Sequence, residues 1–174
     1  MTKHALPELS MEEMRQRATG FFLMDMAAVF IYLEKKGMDP ADLLNFELEN
    51  WPQRKYDSPV QFLIHVMTAY YALGTPRENF RIIEVSDNEV KGMIKDCVVK
   101  KILDAKPRVT GEKTDFASSA QMLGEAKIHF SSDPFCKNLC IYYMNGEAKT
   151  TGFECIVKKG YGSDSCQLYV RKKV

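Results

Sequence analysis

The chain has 174 residues, 45% of them hydrophobic and 27% charged, the composition of a globular protein long enough to bury a continuous core. Lys and Arg number 24 against 23 Asp and Glu, a formal charge of +1, so no bulk charge draws the chain to nucleic acid or anionic lipid. The first residues lack a signal peptide's apolar core, and the longest apolar stretch, Phe21 to Leu33, is interrupted by Asp25 and too short to span a bilayer, so a soluble cytoplasmic protein without membrane contact is expected.

Ser10-Met11-Glu12-Glu13 has the pattern of a capping box, opening a helix that runs to Lys36 and stops at Gly37. Asp39-Pro40 caps a second helix that fades before Trp51-Pro52. Ser58-Pro59 opens a third, ending at Gly74. The pattern then changes. Phe80–Ser86 and Glu89–Cys97 are β-like runs joined by Asp87-Asn88, which predicts a hairpin. A short helix follows over 98–105, a polar loop over 107–114, and a helix capped by Asp115 over about 116–125. Leu139–Met144 reads as a strand ending at Asn145-Gly146, and 150–158 with 165–172 as a final hairpin. Helices followed by strands predict an α+β fold: N-terminal helices packed on a twisted antiparallel sheet, with a C-terminal β-hairpin. A single domain is expected, with a helical layer over about 10–75 and a sheet-rich layer over about 78–172.

Asp25 is the odd residue of the helical half. Gln16 and Glu34 stand five turns apart and point one way, whereas Asp25 points to the opposite side, among Phe21, Phe22, Ala28, Val29 and Tyr32. A carboxylate there grips a cation or acts as a base in a pocket, or is buried and bonded to a Tyr hydroxyl or to backbone. The helix is also apolar nearly all round from Phe21 to Leu33, which predicts that it is sandwiched, either inside the domain or in a homodimer. In the third helix Gln61, His65 and Thr68 form a polar stripe beside a core stripe of Phe62, Val66, Ala69 and Leu73. His65 is either a surface histidine or part of a cavity wall.

Five cysteines, an odd number, are expected as free thiols in a reducing compartment. Cys136 and Cys140 form a C-x3-C run that could hold zinc or an Fe–S cluster with further ligands from Cys97, Cys155, Cys166 or His129. Packing as small apolar side chains is the competing reading. If Lys159 and Ser165 close the last hairpin, Cys155 faces Tyr169 and Lys158 faces Cys166, which puts the two cysteines on opposite faces of the sheet. A bulge in the Gly-rich turn would reverse this. No phosphate-binding loop, dinucleotide fingerprint, HExxH or GxSxG occurs.

The stretch Arg81–Cys97, together with Phe153-Glu-Cys-Ile-Val-Lys-Lys-Gly and Asp164-Ser-Cys166-Gln-Leu-Tyr-Val170, resembles the superfamily of 4-vinyl-reductase-like and 2-amino-thiazoline-carboxylate hydrolase-like domains over about residues 78–172. Cys97 matches the family's first cysteine, and Asp164 with Cys166 its closing motif. Val98 stands where the hydrolase-like members have Pro, and Leu168 where the pattern has Phe. The resemblance implies an α+β domain enclosing a small, often apolar ligand, sometimes with cysteines that hold a metal.

Three functional readings therefore stand together. The first is a small-molecule-binding domain with an apolar or amphipathic ligand between helices and sheet, contacted by Asp25, Tyr32, Phe62, His65, Met93 and Tyr169, and with a metal at Cys136, Cys140, Cys155 and His129. The second is a Cys-dependent or metal-assisted hydrolase of a small heterocyclic or amide substrate, using Cys97 or Cys166 with Asp25 or His65. The third is an oligomeric scaffold or interaction protein that pairs through the first helix.

Overall fold

A computed structural model describes residues 10–50, 52, 54–103, 136–159 and 165–173. The expected loop over 107–114, the helix after Asp115 and His129 lie outside the described residues.

Helix α1 (Met11–Lys35) begins at the expected capping box, where the Glu13 amide donates to Ser10 Oγ at 3.2 Å and the Ser10 amide to Glu13 Oε2 at 2.6 Å. It ends where Gly37 takes φ 69°, letting the Met38 amide reach back to the Leu33 carbonyl at 3.0 Å. Helix α2 (Pro40–Asn50) follows, with the Ala41 amide held by Asp39 Oδ1. Helix α3 (Pro59–Ala72) is capped by Ser58 Oγ. A 3-10 turn (Arg77–Asn79) leads into β1 (Phe80–Val85) and β2 (Glu89–Lys95). Then come α4 (Val98–Leu103), a π-helical turn (Cys136–Ile141), α5 (Tyr142–Thr150), β3 (Phe153–Lys159) and β4 (Ser165–Lys172). The fold is α+β, and the four described strands form an antiparallel sheet of order β1-β2-β4-β3.

The helices cover one face of this sheet. Val90, Ile94, Leu168, Val170, Phe153 and Cys155 point inward and join Phe62, Leu63, Val66 and Met67 of α3 in one apolar core. Leu23, Ala27 and Phe30 of α1, Leu44 of α2, and Met144 and Ala148 of α5 belong to the same core. The other face carries the polar alternation. There Arg171 Nε bonds Glu154 Oε2 at 2.5 Å, Lys91 pairs with Glu84, and the ammonium groups of Lys91 and Lys158 lie 5.9 and 5.1 Å from the Tyr169 ring centroid.

Helix α3 sits directly on β2 because position 92 has no side chain. A Cβ on Gly92 would lie 2.7 Å from Met67 Cε and 2.8 Å from Leu63 Cδ2. We expect Gly92→Val to cost about 1–3 kcal/mol through overpacking, read as a lowered denaturation midpoint. An unchanged midpoint would mean that α3 does not seat on this strand.

Four expectations need correction. Residues 139–144 are helical, spanning the π-helical turn and the start of α5, not a strand. Met144 and Ala148 bury one helical turn apart, and the sheet is completed without this segment. The final hairpin pairs Cys155 with Val170 and Lys159 with Cys166, one residue away from the expected register. Cys155, Cys166, Leu168 and Val170 consequently share the inner face, and Tyr169 turns outward. Ala69 of α3 is exposed, because the covered stripe runs through Leu63, Val66 and Met67. Asp25 is exposed, not enclosed. Helix α1 packs through Thr19, Leu23, Ala27 and Phe30, so the carboxylate keeps its water and meets no desolvation cost.

Candidate functional site

Four of the five cysteines converge on one crevice between helices and sheet. Cys97 lies between β2 and α4, Cys136 and Cys140 lie on the π-helical turn, and Cys166 lies at the start of β4. Ile94, Val157 and Leu168 form an apolar floor. Tyr70 and Lys100 enter from α3 and α4. The crevice volume is about 30 Å³, above the roughly 10–15 Å³ that admits one water and far below a cavity of about 150 Å³ that admits benzene.

Local chain chemistry places each sulfur. At the end of β2, Asp96 takes φ 45°, a left-handed conformation that Asp tolerates better than most residues. This kink turns the chain from strand to helix and tucks Cys97 inward. The buried Thr75 braces the turn, its Oγ1 accepting the Val98 amide at 3.3 Å. The Cys97 thiol is pushed up by burial, against the opposing pull of the Lys100 and Val99 amides at the start of α4.

Cys136 and Cys140 are four residues apart on a helical turn, which brings their sulfurs to one side. Cys140 hydrogen-bonds Cys136, and the Tyr70 hydroxyl hydrogen-bonds Cys140. The Cys140 thiol is held well above the usual range, first by its bond to Cys136 and then by burial. The Tyr70 hydroxyl is raised as well, chiefly by burial and next by the neighbouring Cys140. Cys97, Cys140 and Tyr70 therefore favour their neutral forms. None of the five cysteines, all of them among the described residues, is joined in a disulfide.

The site residues expected from the sequence divide into two sets. Cys97, Cys136, Cys140 and Cys166 line the crevice. Cys155 is buried on the inner face of β3, opposite Val170, and does not line it. Its thiol is pushed up to about 12 by burial. Phe62 is a fully buried core residue. Met93 and Tyr169 stand on the outward face of the sheet. Asp25 and Tyr32 are exposed on α1.

His65 belongs to a separate cluster. Its Nε2 is 3.6 Å from Glu147 Oε1, the Arg54 guanidinium lies 2.6 and 2.9 Å from the two ring nitrogens, and the Tyr56 hydroxyl donates to Glu147 at 3.0 Å. Burial lowers the His65 pKa, Glu147 opposes this and Arg54 adds to it. This cluster ties α3 to α5 beside the core.

Among the described residues no three His, Cys, Asp or Glu side chains converge closely enough to hold a metal ion. Tyr70 and Lys100 were missed by sequence reasoning. The spacing of Leu63, Met67 and Tyr70 along the covered side of α3 carries a signal for the first, and nothing local carries one for the second.

No family model and no curated protein matches the chain. Among solved structures, an alignment to an Fe(II) unliganded mutant H-NOX protein from K. algicida spans 95% of this chain and 65% of that one, at 11% identity and a TM-score of 0.29. The chain thus spans less than two thirds of that protein, and so low a score carries no argument about fold or ligand. No helix among the described residues is long and apolar enough to cross a membrane.

Proposed function

We propose that the chain is a small-molecule-binding domain whose site is the thiol-walled crevice. One observation carries this reading. Cysteines from three separate chain segments, distant in sequence, are gathered on an apolar floor with a phenol and an ammonium beside them. A surface with few polar groups and soft, polarisable sulfurs suits a narrow apolar ligand, or the apolar tip of an amphipathic one. The volume of about 30 Å³ is well below a benzene-sized site. A thicker ligand therefore requires α4 and the π-helical turn to part.

The hydrolase reading gains less support. A nucleophilic cysteine needs its thiolate form, and burial drives Cys97 the other way. His65 does not line the crevice.

Xenon is a suitable probe because it enters apolar cavities without needing polar partners. Under xenon pressure, the methyl carbon resonance of Met144, which lines the crevice, should shift, while that of the exposed Met38 stays in place. Cys166→Phe should abolish the shift by filling the space. Shifts that are equal at both methionines, or that persist unchanged in Cys166→Phe, would sink the proposal.

A further inference from the structure

The outward side of α1 carries a continuous seam that the described residues leave open. Met11, Met14, Ala18, Phe21, Asp25, Ala28 and Tyr32 recur at alternating steps of three and four, and all are exposed. This is the a/d spacing of a coiled-coil seam. Phe22 and Val29 widen it. Phe21 is 61% exposed and Tyr32 59%, although α1 buries Leu23, Ala27 and Phe30 on its opposite side. The seam runs over 21 helical steps, a length of about 32 Å. Its six large side chains are exposed by about half on average. At about 200 Å² for each whole side chain they offer about 600 Å² per copy, which reaches the roughly 600 Å² per partner of the smallest stable specific interfaces.

The seam is self-complementary under a two-fold axis. On an ideal helix its midline passes between Phe21 and Phe22. A second copy laid antiparallel about that point sets Met11 against the partner's Tyr32, and Met14 against the partner's Val29. Phe21 then meets the partner's Phe22. Asp25, the charged member of the seam, meets the partner's Ala18, whose small side chain leaves the carboxylate room. One turn along from that alanine stands the partner's Arg15, about 4.5 Å away along the axis and within reach of Asp25 across the edge of the seam. In its own chain Arg15 bonds Glu12 at 2.6 Å and lies 5.9 Å from the Tyr71 ring centroid, contacts that it exchanges for the partner's Asp25 on association. Each opposing pair straddles the midline, as interdigitating side chains require. A parallel arrangement would instead set Asp25 against the partner's Asp25, two like charges in an apolar seam.

The geometry points to an antiparallel homodimer through α1, centred between Phe21 and Phe22, with two Arg15–Asp25 ion pairs fixing its register. The occupant of the seam is a second copy of this chain. A polar residue at a core position of a seam costs stability and selects register, and Asp25 fills that role here. The contact is isologous and closes on itself, so association stops at two chains.

Sedimentation equilibrium of the full chain tests this. The wild type should form dimers. Phe21→Glu should be monomeric with an unchanged circular dichroism spectrum, because the side chain it replaces is exposed. Asp25→Arg should raise the dissociation constant by about tenfold or more, since it meets the partner's Arg15. Combining Asp25→Arg with Arg15→Glu should restore dimerisation by opposing unlike charges again. A parallel dimer would not be rescued by that pair, because positions 15 and 25 would stand about 15 Å apart along the axis. A monomeric wild type, an unchanged constant in Asp25→Arg, or a double variant no tighter than the single one overturns the proposal. The first of these outcomes would leave the seam to a different protein.

Discussion

Conformational stability should fall steeply between about pH 9 and pH 12, with much of the loss traced to one thiol. Cys155 is pushed up to about 12 by burial from an ordinary value of 9.0. The folded state therefore keeps its proton where the unfolded state has lost it. The unfolded state binds fewer protons across this window, so stability declines as pH rises. The contribution is complete below pH 9 and exhausted once pH passes about 12. A gap of that size corresponds to roughly 4 kcal/mol. Tyr70, Cys140 and Cys97 are raised in the same direction and steepen the decline. Urea denaturation at a series of pH values would measure it. Cys155→Val should flatten the slope, since it keeps an apolar side chain and removes the titrating group. A wild-type midpoint that holds level to about pH 11.5 would contradict the packing of β3 against the helices.

Phe62→Ala should cost about 3–5 kcal/mol, the usual loss for a fully enclosed aromatic ring. The side chain is 0% exposed. Its ring meets Tyr56 edge-on, with centroids 5.3 Å apart and planes at 86°, and lies 6.2 Å from the Phe153 ring. It thereby joins α3 to the segment before it and to β3. Phe46, on α2, is 62% exposed, and Phe46→Ala should change stability by less than about 0.5 kcal/mol. Denaturant midpoints of the two variants give the comparison. A Phe62→Ala loss no larger than that of Phe46→Ala would remove Phe62 from the core.

The α+β class and the starts of α1 and α3 were legible in the sequence, because a cap is satisfied within one turn of chain. Ser10 and Glu13 satisfy each other, and Ser58 reaches the Gln61 amide. The first hairpin was legible for the same reason, with its tight turn held by Ser86 and Glu89. The segment 139–144 was not. A short apolar run of Leu, Cys, Ile, Tyr and Met fits a buried strand and a buried helical turn equally well by periodicity. What settles it is Ala148 packing inward a turn after Met144, against groups remote in sequence.

The candidate site was half legible. Cys97, Cys136, Cys140 and Cys166 were each singled out from the sequence, and the structure brings them to one crevice. Their neighbours were not identified, because Phe62, Met93 and Tyr169 satisfy the same compositional rule as any core or sheet residue. The last hairpin shows how fine the margin is. A one-residue slip exchanges the two faces of a strand, and the observed pairing of Cys155 with Val170 turns Cys166 inward.

By itself the sequence determined the kinds of element, their caps and turns, and the presence of two apolar sides on α1, since these follow from contacts within a few residues of chain. The tertiary structure alone decided which side of α1 is covered, which face of β4 carries its cysteine, and that four cysteines line one crevice. Those outcomes depend on burial against segments distant along the chain, and a helix or strand apolar on both sides contains no local preference between them.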